Sequence, residues 1–304
     1  MPSGAILMEI HRFRLGFLPE PISGLTLALG NFDGMHRGHQ RLLLDTSLLA
    51  KNESGVLLFD PPSPFKGGKV LTSLEQKIAI CRKLRLDHVF VLESVEAFWN
   101  LSPQEFCDQI LKKLGASLLC CGEDFRFGKK AEGKVDDLKK DFDVHLTPFL
   151  ESNGMKISSS LIREAIRNGE MEIAQDWLGR PYEMVGKVAH GFRNGHLLGF
   201  PTLNLKSSIS YCLPRFGVYC GLAYIDGIPH QAVINVGVHP TVDQIEEPSI
   251  EAHLLDFEEE AYDKTLYLDF RHFERCEKKF ASLEELSKQL LLDKTWAKEQ
   301  LSKE

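Results

Sequence analysis

No two cysteines in this sequence stand in a C-x-x-C pair. The seven present, Cys81, Cys107, Cys120, Cys121, Cys212, Cys220 and Cys276, are odd in number. That suggests neither a thiolate zinc site nor a disulfide framework, and the expectation is reduced thiols in a cytosolic protein. No stretch approaches the roughly 20 apolar residues that span a bilayer. Met1 to Arg14 has no apolar h-region and no small-residue cleavage site, so no signal peptide is expected and the chain reads as soluble and cytoplasmic. Positive charge is short as well: 36 Lys and Arg stand against 43 Asp and Glu, for a net charge of -7. Binders of nucleic acid or acidic membranes usually carry excess basic charge, so neither partner is expected, while a local basic pocket for phosphate stays open. There is no internal repeat and no low-complexity tract. What is present is 304 residues, 43% hydrophobic and 26% charged, enough for two ordinary globular domains.

The first 180 or so residues alternate short apolar runs with amphipathic stretches. Strands are predicted at Leu25–Leu29, Gly55–Phe59, Asp87–Leu92 and Ser117–Cys121, and helices at Gly38–Leu49 and Ser73–Leu84. Ser102 followed by Pro103 is an N-cap with proline at the first helical position, opening a helix to Leu114. Such alternation indicates a parallel sheet with helices on its faces, whose ligands bind beyond the carboxyl ends of the strands. After Pro181 the rhythm changes. Strand-like pieces at Glu183–Ala189, Gly217–Ile225, Gln231–Val236, Ser249–Leu255 and Thr265–Phe270 follow one another without helices, which argues for an antiparallel barrel or sandwich. Ser282-Leu283-Glu284-Glu285 is a capping box opening a terminal helical region to about Leu301. The boundary falls near Gly179–Tyr182, giving domains 1–181 and 182–304.

Between the first strand and the first helix lies Gly30-Asn31-Phe32-Asp33-Gly34-Met35-His36-Arg37-Gly38-His39. Glycines here let the backbone approach a phosphate closely, and the helix N-terminus offers unpaired N–H groups and a positive dipole end. His36 and His39, three apart on one helical turn, can both donate to phosphate oxygens. Nucleotidyl transfer builds charge on the α-phosphate while pyrophosphate leaves, and preorganised donors are what that chemistry requires. A glycine turn with surface histidines is the bland alternative. Ile157-Ser158-Ser159-Ser160-Leu161-Ile162-Arg163 reads as a second helix start, with hydroxyls that can cap or bind phosphate and a planar guanidinium fork for a triphosphate.

A second constellation is Gly199-Phe200-Pro201-Thr202-Leu203-Asn204. Thr202 and Asn204 alternate along an extended chain, so their hard oxygens point to one side, as magnesium with phosphates accepts. A polar turn is the competing reading. Glu251, within the largely apolar Ile250–Phe257, is either an ordinary exposed side chain or a general base that takes a proton from an attacking hydroxyl.

These motifs, together with Gly122-Glu123-Asp124-Phe125-Arg126-Phe127-Gly128, Gly217-Val218-Tyr219, Asn235-Val236-Gly237 and Arg275-Cys276-Glu277, run in one order along the chain from about Leu25 to Leu301. In that combination the sequence resembles the bacterial bifunctional riboflavin kinase/FMN adenylyltransferases, the prokaryotic FAD synthetases. The resemblance implies an α/β Rossmann-like nucleotidyltransferase domain with a parallel sheet, then a small antiparallel six-stranded β-barrel with C-terminal helices. It implies that riboflavin and ATP give FMN and ADP in the second domain, and that FMN and ATP give FAD and pyrophosphate in the first. Carried over, His36, His39 and Arg163 act in adenylyl transfer, with Gly30, Asn31, Phe32, Asp33, Gly38, Ser159 and Ser160 binding ATP. Asp124, Arg126, Arg275 and Glu277 lie near flavin or nucleotide, Thr202 and Asn204 hold Mg2+ with ATP, and Glu251 deprotonates the ribityl 5′-hydroxyl. No permanently bound cofactor is implied.

The sequence departs from the family pattern at Pro62-Ser63, at Lys129-Lys130, at Ser160 and at His196, where an arginine is usual. The last of these keeps a second reading open: an FMN adenylyltransferase with a weakened or inactive kinase domain. Residues before Met8 match nothing, which makes Met8 an alternative start.

Overall fold

Leu25–Ala28 and His88–Glu93 are nearly unbroken apolar runs, the pattern of strands covered on both faces, and the computed structural model places both inside a parallel sheet. The structure describes residues 8–61, 69–93, 96–189, 202–240, 246–255, 257 and 259–303, with the backbone alone at 239, 240, 246 and 247. Pro62-Ser63, His196, Gly199, Phe200, Pro201, Thr241 and Asp256 lie outside the described residues. The chain divides into two compact units, Met1–Ser158 and Ser159–Glu304.

The first unit opens with β1 (Glu9–Arg14), β2 (Leu25–Ala28), α1 (Arg37–Leu49), β3 (Ser54–Asp60), α2 (Leu74–Lys83) and β4 (His88–Glu93). It continues through α3 (Glu96–Trp99), α4 (Pro103–Phe106), β5 (Ala116–Gly122), β6 (Arg126–Phe127), β7 (Gly133–Lys134), α5 (Val135–Leu138) and β8 (Asp143–Thr147), and ends with the pair β9 (Glu151–Ser152) and β10 (Met155–Lys156). Six strands form one parallel sheet in the order β1-β4-β3-β2-β5-β8. Alternate residues of each strand enter opposite cores. Leu57, Phe90 and Leu92 face a cluster with Phe98, Phe106 and Ile110, whereas Val56, Leu58, Val89 and Val91 face Leu42, Leu43 and Ile78. Two strands of this sheet, β1 and β8, have no counterpart in the sequence reading. Both are sheet edges with only partial burial, so neither carries the continuous apolar signal of an inner strand. The helix opened by Ser102 forms its capping box and proline start but passes after Phe106 into a π-helical turn at Cys107–Leu111, short of the expected Leu114.

The second unit begins with α6 (Ser159–Asn168) and α7 (Met171–Leu178), followed by β11 (Tyr182–Ala189), β12 (Leu203–Lys206), β13 (Gly217–Ile225), β14 (Ile228–Pro240), β15 (Glu246–Leu254), β16 (Thr265–Phe270), β17 (His272–Arg275) and α8 (Leu283–Leu301). All pairings are antiparallel, and because β14 pairs β13 as well as β15, the six strands β13-β14-β15-β12-β11-β16 close on themselves. Closure removes the exposed strand edges of an open sheet. Ala232, Ile234 and Val236 point inward with their register partners Leu254, Ala252 and Ile250, all of them buried. Val233 lies on the opposite, outer face, in a cluster with Ala297 and Leu301 of α8. A single terminal helix is described where helices were expected. Its N-cap is Ser282, as read, but Glu285 bonds the amide of Ala281 rather than of Ser282, so the capping box is displaced by one residue.

β17 and α8 are clasped by charge. The Arg275 guanidinium meets the Asp293 carboxylate through Nε at 3.1 Å and Nη2 at 2.5 Å, and Gln289 donates to the same carboxylate at 2.7 Å. Asp293 is 1% exposed and Arg275 15%. Removing one partner of a buried pair strands the other, which costs about 3 kcal/mol or more, so Asp293→Ala is expected to lower the unfolding free energy of the second unit by about that amount in urea titration. Beside the pair, burial and then the Asp293 carboxylate push the Glu274 carboxyl up from 4.5 to about 7. A folded-state value above the unfolded one means stability present at low pH is lost as pH rises through about 7. Glu274→Gln is therefore expected to flatten that loss between about pH 4.5 and about 7, checked by denaturant midpoints against pH for both proteins.

Candidate active sites in the two units

The loop leaving the carboxyl end of β2 turns sharply enough to need three residues with positive φ, Phe32 at 47°, Gly34 at 82° and Met35 at 45°. For Phe32 and Met35 this is a strained conformation that persists only when the surroundings enforce it. Both side chains are 0% exposed in the core beneath α1, where each contributes about 1.5–3 kcal/mol by burial. Gly30 leaves room for the Phe32 ring, since a Cβ there would stand 3.0 Å from Phe32 Cζ. Asp33 is buried and its Oδ1 accepts the Leu71 amide at 2.9 Å, tying the loop to the chain that enters α2. Gln40 Nε2 donates to the Met35 carbonyl at 2.8 Å. Of the residues assigned here to ATP, Phe32 and Asp33 thus shape the loop from within, and Asn31 is half-buried at its entrance.

His36 is the N-cap of α1, and its Nδ1 accepts the His39 amide hydrogen at 3.3 Å. An accepting Nδ1 leaves the proton of a neutral ring on Nε2, so His36 is a donor at its far nitrogen. The two imidazoles stack with centroids 3.6 Å apart and planes 18° off parallel, and Phe32 meets His39 edge-on at 5.4 Å. A Cβ at Gly38 would lie 3.2 Å from His36 Cε1 and Nδ1, so glycine before His39 spares the His36 ring a tight contact. Two rings are therefore held side by side at the amino end of a 13-residue helix, where the peptide dipole favours anions.

Past β5, Asp124 is exposed and paired with Lys156 at 2.7 Å, and the Lys156 ammonium sits 3.2 Å from the centroid of the Phe149 ring. Phe125 and Phe127 stack at 5.8 Å, with Arg126 exposed on β6. Phe127 is buried in the core, with Phe125 packed against it, so the exposed group is the Asp124 carboxylate, the Lys156 ammonium and the Phe149 ring, a surface suited to a flat, charged ligand. In the second unit, Ser159 opens α6, Ser160 is exposed, and Arg163 is buried with Nη1 donating to the Ser159 carbonyl at 3.2 Å.

On the barrel the register joins residues that the sequence keeps far apart. Asn204 pairs Glu251 across β12 and β15, and Glu251 pairs Asn235 across β15 and β14. Directly opposed residues of antiparallel strands share a face with their Cβ atoms roughly 5 Å apart. Asn204, Glu251 and Asn235 therefore form a row on the outer face, the side on which Val233 meets α8. Thr202 precedes β12, half-buried. Ser249, two residues before Glu251, has a buried hydroxyl oxygen without a hydrogen-bond partner among the described residues. Glu277 stands against the backbone of Gly237, where a Cβ would come within 2.1 Å of its Oε1. Arg275, expected near flavin, is engaged by Asp293. Asn235 and Ser249 had been given no role from the sequence, and only strand register reveals them.

Family profiles match the chain in two blocks, described as FAD synthetase over residues 19–161 and riboflavin kinase over residues 178–301. Among curated proteins, a bifunctional riboflavin kinase/FMN adenylyltransferase of Bacillus subtilis is 35% identical over 283 residues, covering 88% of this chain and 90% of the relative. The Listeria monocytogenes protein of the same name is 37% identical, covering 88% and 89%, and that of Escherichia coli is 33% identical, covering 92% and 93%. A solved structure described as a macrolide-efflux protein from Streptococcus pneumoniae is similar with a TM-score of 0.86 at 27% identity, covering 95% of this chain and 98% of its own. That description belongs to the neighbour; among the described residues here no helix is long and apolar enough to cross a membrane. With two profiles in tandem and relatives alike over almost their whole length, the chain belongs to the family of bifunctional riboflavin kinase/FMN adenylyltransferases.

Proposed function

We propose that the paired imidazoles of His36 and His39 perform adenylyl transfer and that the Asn204–Glu251–Asn235 row performs riboflavin phosphorylation, so that one cytoplasmic chain makes FMN and converts it to FAD. The observation that carries the first half is the clamp between the His39 amide and His36 Nδ1. An FMN phosphate oxygen attacks the α-phosphorus of ATP, the bond to the β-phosphate oxygen breaks, and pyrophosphate leaves. Charge that grows on the α-phosphate meets imidazole N–H donors and a helix N-terminus already in place, with no reorganisation at the moment of reaction. By motif, Ser159, Ser160 and Arg163 are assigned to the triphosphate, Gly30, Asn31 and Gly38 to close backbone approach, and Asp124 and Arg126 to the flavin nucleotide. The first activity is assigned to residues 1–181 and the second to 182–304.

For the kinase step, Glu251 accepts the proton of the ribityl 5′-hydroxyl as its oxygen attacks the γ-phosphorus and ADP departs. Thr202 and Asn204 supply the hard oxygen donors that fit Mg2+, and the ion screens phosphate charge when it arrives with ATP. Arg275 and Glu277 are assigned to the flavin side, Arg275 from a position set by Asp293. The register of Asn204 and Glu251 favours a working kinase over the alternative of an adenylyltransferase with a decayed second domain.

Purified protein given riboflavin and Mg–ATP is expected to yield FMN and then FAD, followed by chromatography; FMN without FAD would remove the adenylyltransferase assignment. Loss of an oriented donor typically costs about 10²–10³ in rate. His36→Ala and His39→Ala are each expected to slow FAD formation from supplied FMN by about that factor, and to leave riboflavin phosphorylation intact. Glu251→Ala is expected to abolish FMN formation while supplied FMN is still converted. Joint loss of both activities in any one folded variant would contradict separate sites.

A further inference from the structure

At the amino ends of the parallel strands, on the edge of the sheet opposite the histidine loop, a second group of imidazoles and carboxylates comes together. Glu9 and His11 are two residues apart on β1, so they share a face, and Glu9 lies in register with His88 of β4. His11 Nε2 stands 3.0 Å from His88 Nδ1, and Glu9 Oε2 is 3.6 Å from the first and 3.7 Å from the second. His88 Nε2 is 2.5 Å from Glu53 Oε2, at the entrance to β3. His11 is stacked on Phe90 at 4.9 Å and 16°.

We propose that Glu9, His11 and His88 form a binding site for a zinc-class divalent cation, with Glu53 as the carboxylate that orients His88. A triangle with those three edges has a common point about 2.0 Å from every corner, the length of a Zn–N or Zn–O bond. The protonation states fit. His88 donates its Nε2 hydrogen to Glu53, which leaves the Nδ1 lone pair facing the site, and a ligating histidine that gives its other N–H to a carboxylate is the usual outer-shell arrangement. With no cation bound, His11 Nε2–H donates to that lone pair. On binding, His11 shifts its proton to Nδ1 and presents Nε2, so no net proton is released. The charges of Glu9 and Glu53 balance the two positive charges of the ion. His88 is buried while Glu9 is 65% exposed, so a fourth position opens to water. Two imidazoles and one carboxylate suit zinc or its neighbours better than magnesium, which prefers oxygen ligands. The residues are separated by 77 positions between the histidines, with no motif spacing, and the sequence shows no metal cage. The ion's part is structural. β1 is an edge strand whose sheet neighbour among the described residues is β4, and the cation pins its first side chains to β4.

The test is titration of the chelator-treated full-length chain with Zn2+ and, separately, Co2+, in excess Mg2+ and on a Cys276→Ser background that removes the one exposed thiol among the described cysteines. One ion per chain is expected, with Co2+ showing the strong visible absorption of a four-coordinate site. His11→Ala and Glu9→Gln are each expected to weaken binding at least tenfold, and Glu53→Gln by about 10–100-fold although it touches no metal. Amide exchange across Glu9–Arg14 is expected to slow on adding Zn2+ in the parent and not in Glu9→Gln, whose exposed position leaves folding unaffected. Equal affinity in the parent and in both ligand variants, or no binding by the parent, would overturn the site.

Discussion

The His39 amide donating to His36 Nδ1 is a weak contact by energy, yet the arrangement of the histidine loop hangs on it. It fixes which nitrogen of His36 carries hydrogen, and it holds both rings against the mouth of α1. For that contact to exist, the chain must leave β2, reverse through three positive φ values and enter the helix at His36. The reversal is stable because Phe32 and Met35 are driven into the core and Asp33 is bonded to the Leu71 amide. Placement of the two imidazoles is therefore secured by hydrophobic burial beneath the loop, and the rings themselves need supply none of that stability.

The second unit achieves placement by another route. A closed antiparallel barrel has one register around its whole circumference, because a slip in one pairing would have to propagate through every other strand. Asn204, Glu251 and Asn235 come into line only under that register. Their precision follows from the inward packing of Ile234, Ala252 and Val236, which sets the outer face as rigidly as the inner one.

Much of this was legible in the sequence, for identifiable reasons. Inner parallel strands such as Leu25–Ala28 announce themselves by continuous apolarity, and the cap at Ser102 by local chemistry. The histidine motif was legible because its geometry is local: His36, Gly38 and His39 contact one another within a single turn. Edge strands were not, since β1 buries little on either face and reads as a polar tail. Nor was the engagement of Arg275 by Asp293, which depends on how α8 lies against β17 within the second unit. Asn235 stood in a recognised motif, but its place beside Glu251 is set by strand register alone. Contacts made across strands carry no trace in spacing, and the cluster of Glu9, His11, Glu53 and His88 is the extreme case.

The motif residues at the end of the second unit show how packing distributes function. Glu277 can lie against β14 because Gly237 has no side chain there, and Gly237 is two residues from Asn235, beside the Glu251 row. Gly217 serves the same purpose one step earlier, since a Cβ there would come within 2.2 Å of the Arg275 carbonyl oxygen. The segment from Arg275 to Glu277 is thus given room by two glycines, Gly217 beside the Arg275 backbone and Gly237 beneath Glu277, and is held by one carboxylate on α8. That makes α8 the element that sets the position of the Arg275–Glu277 segment. A disturbance of Asp293 would move the Arg275–Glu277 segment relative to Glu251, and under the proposed assignment of Glu251 its effect on phosphorylation would come through position and not through loss of a reacting group.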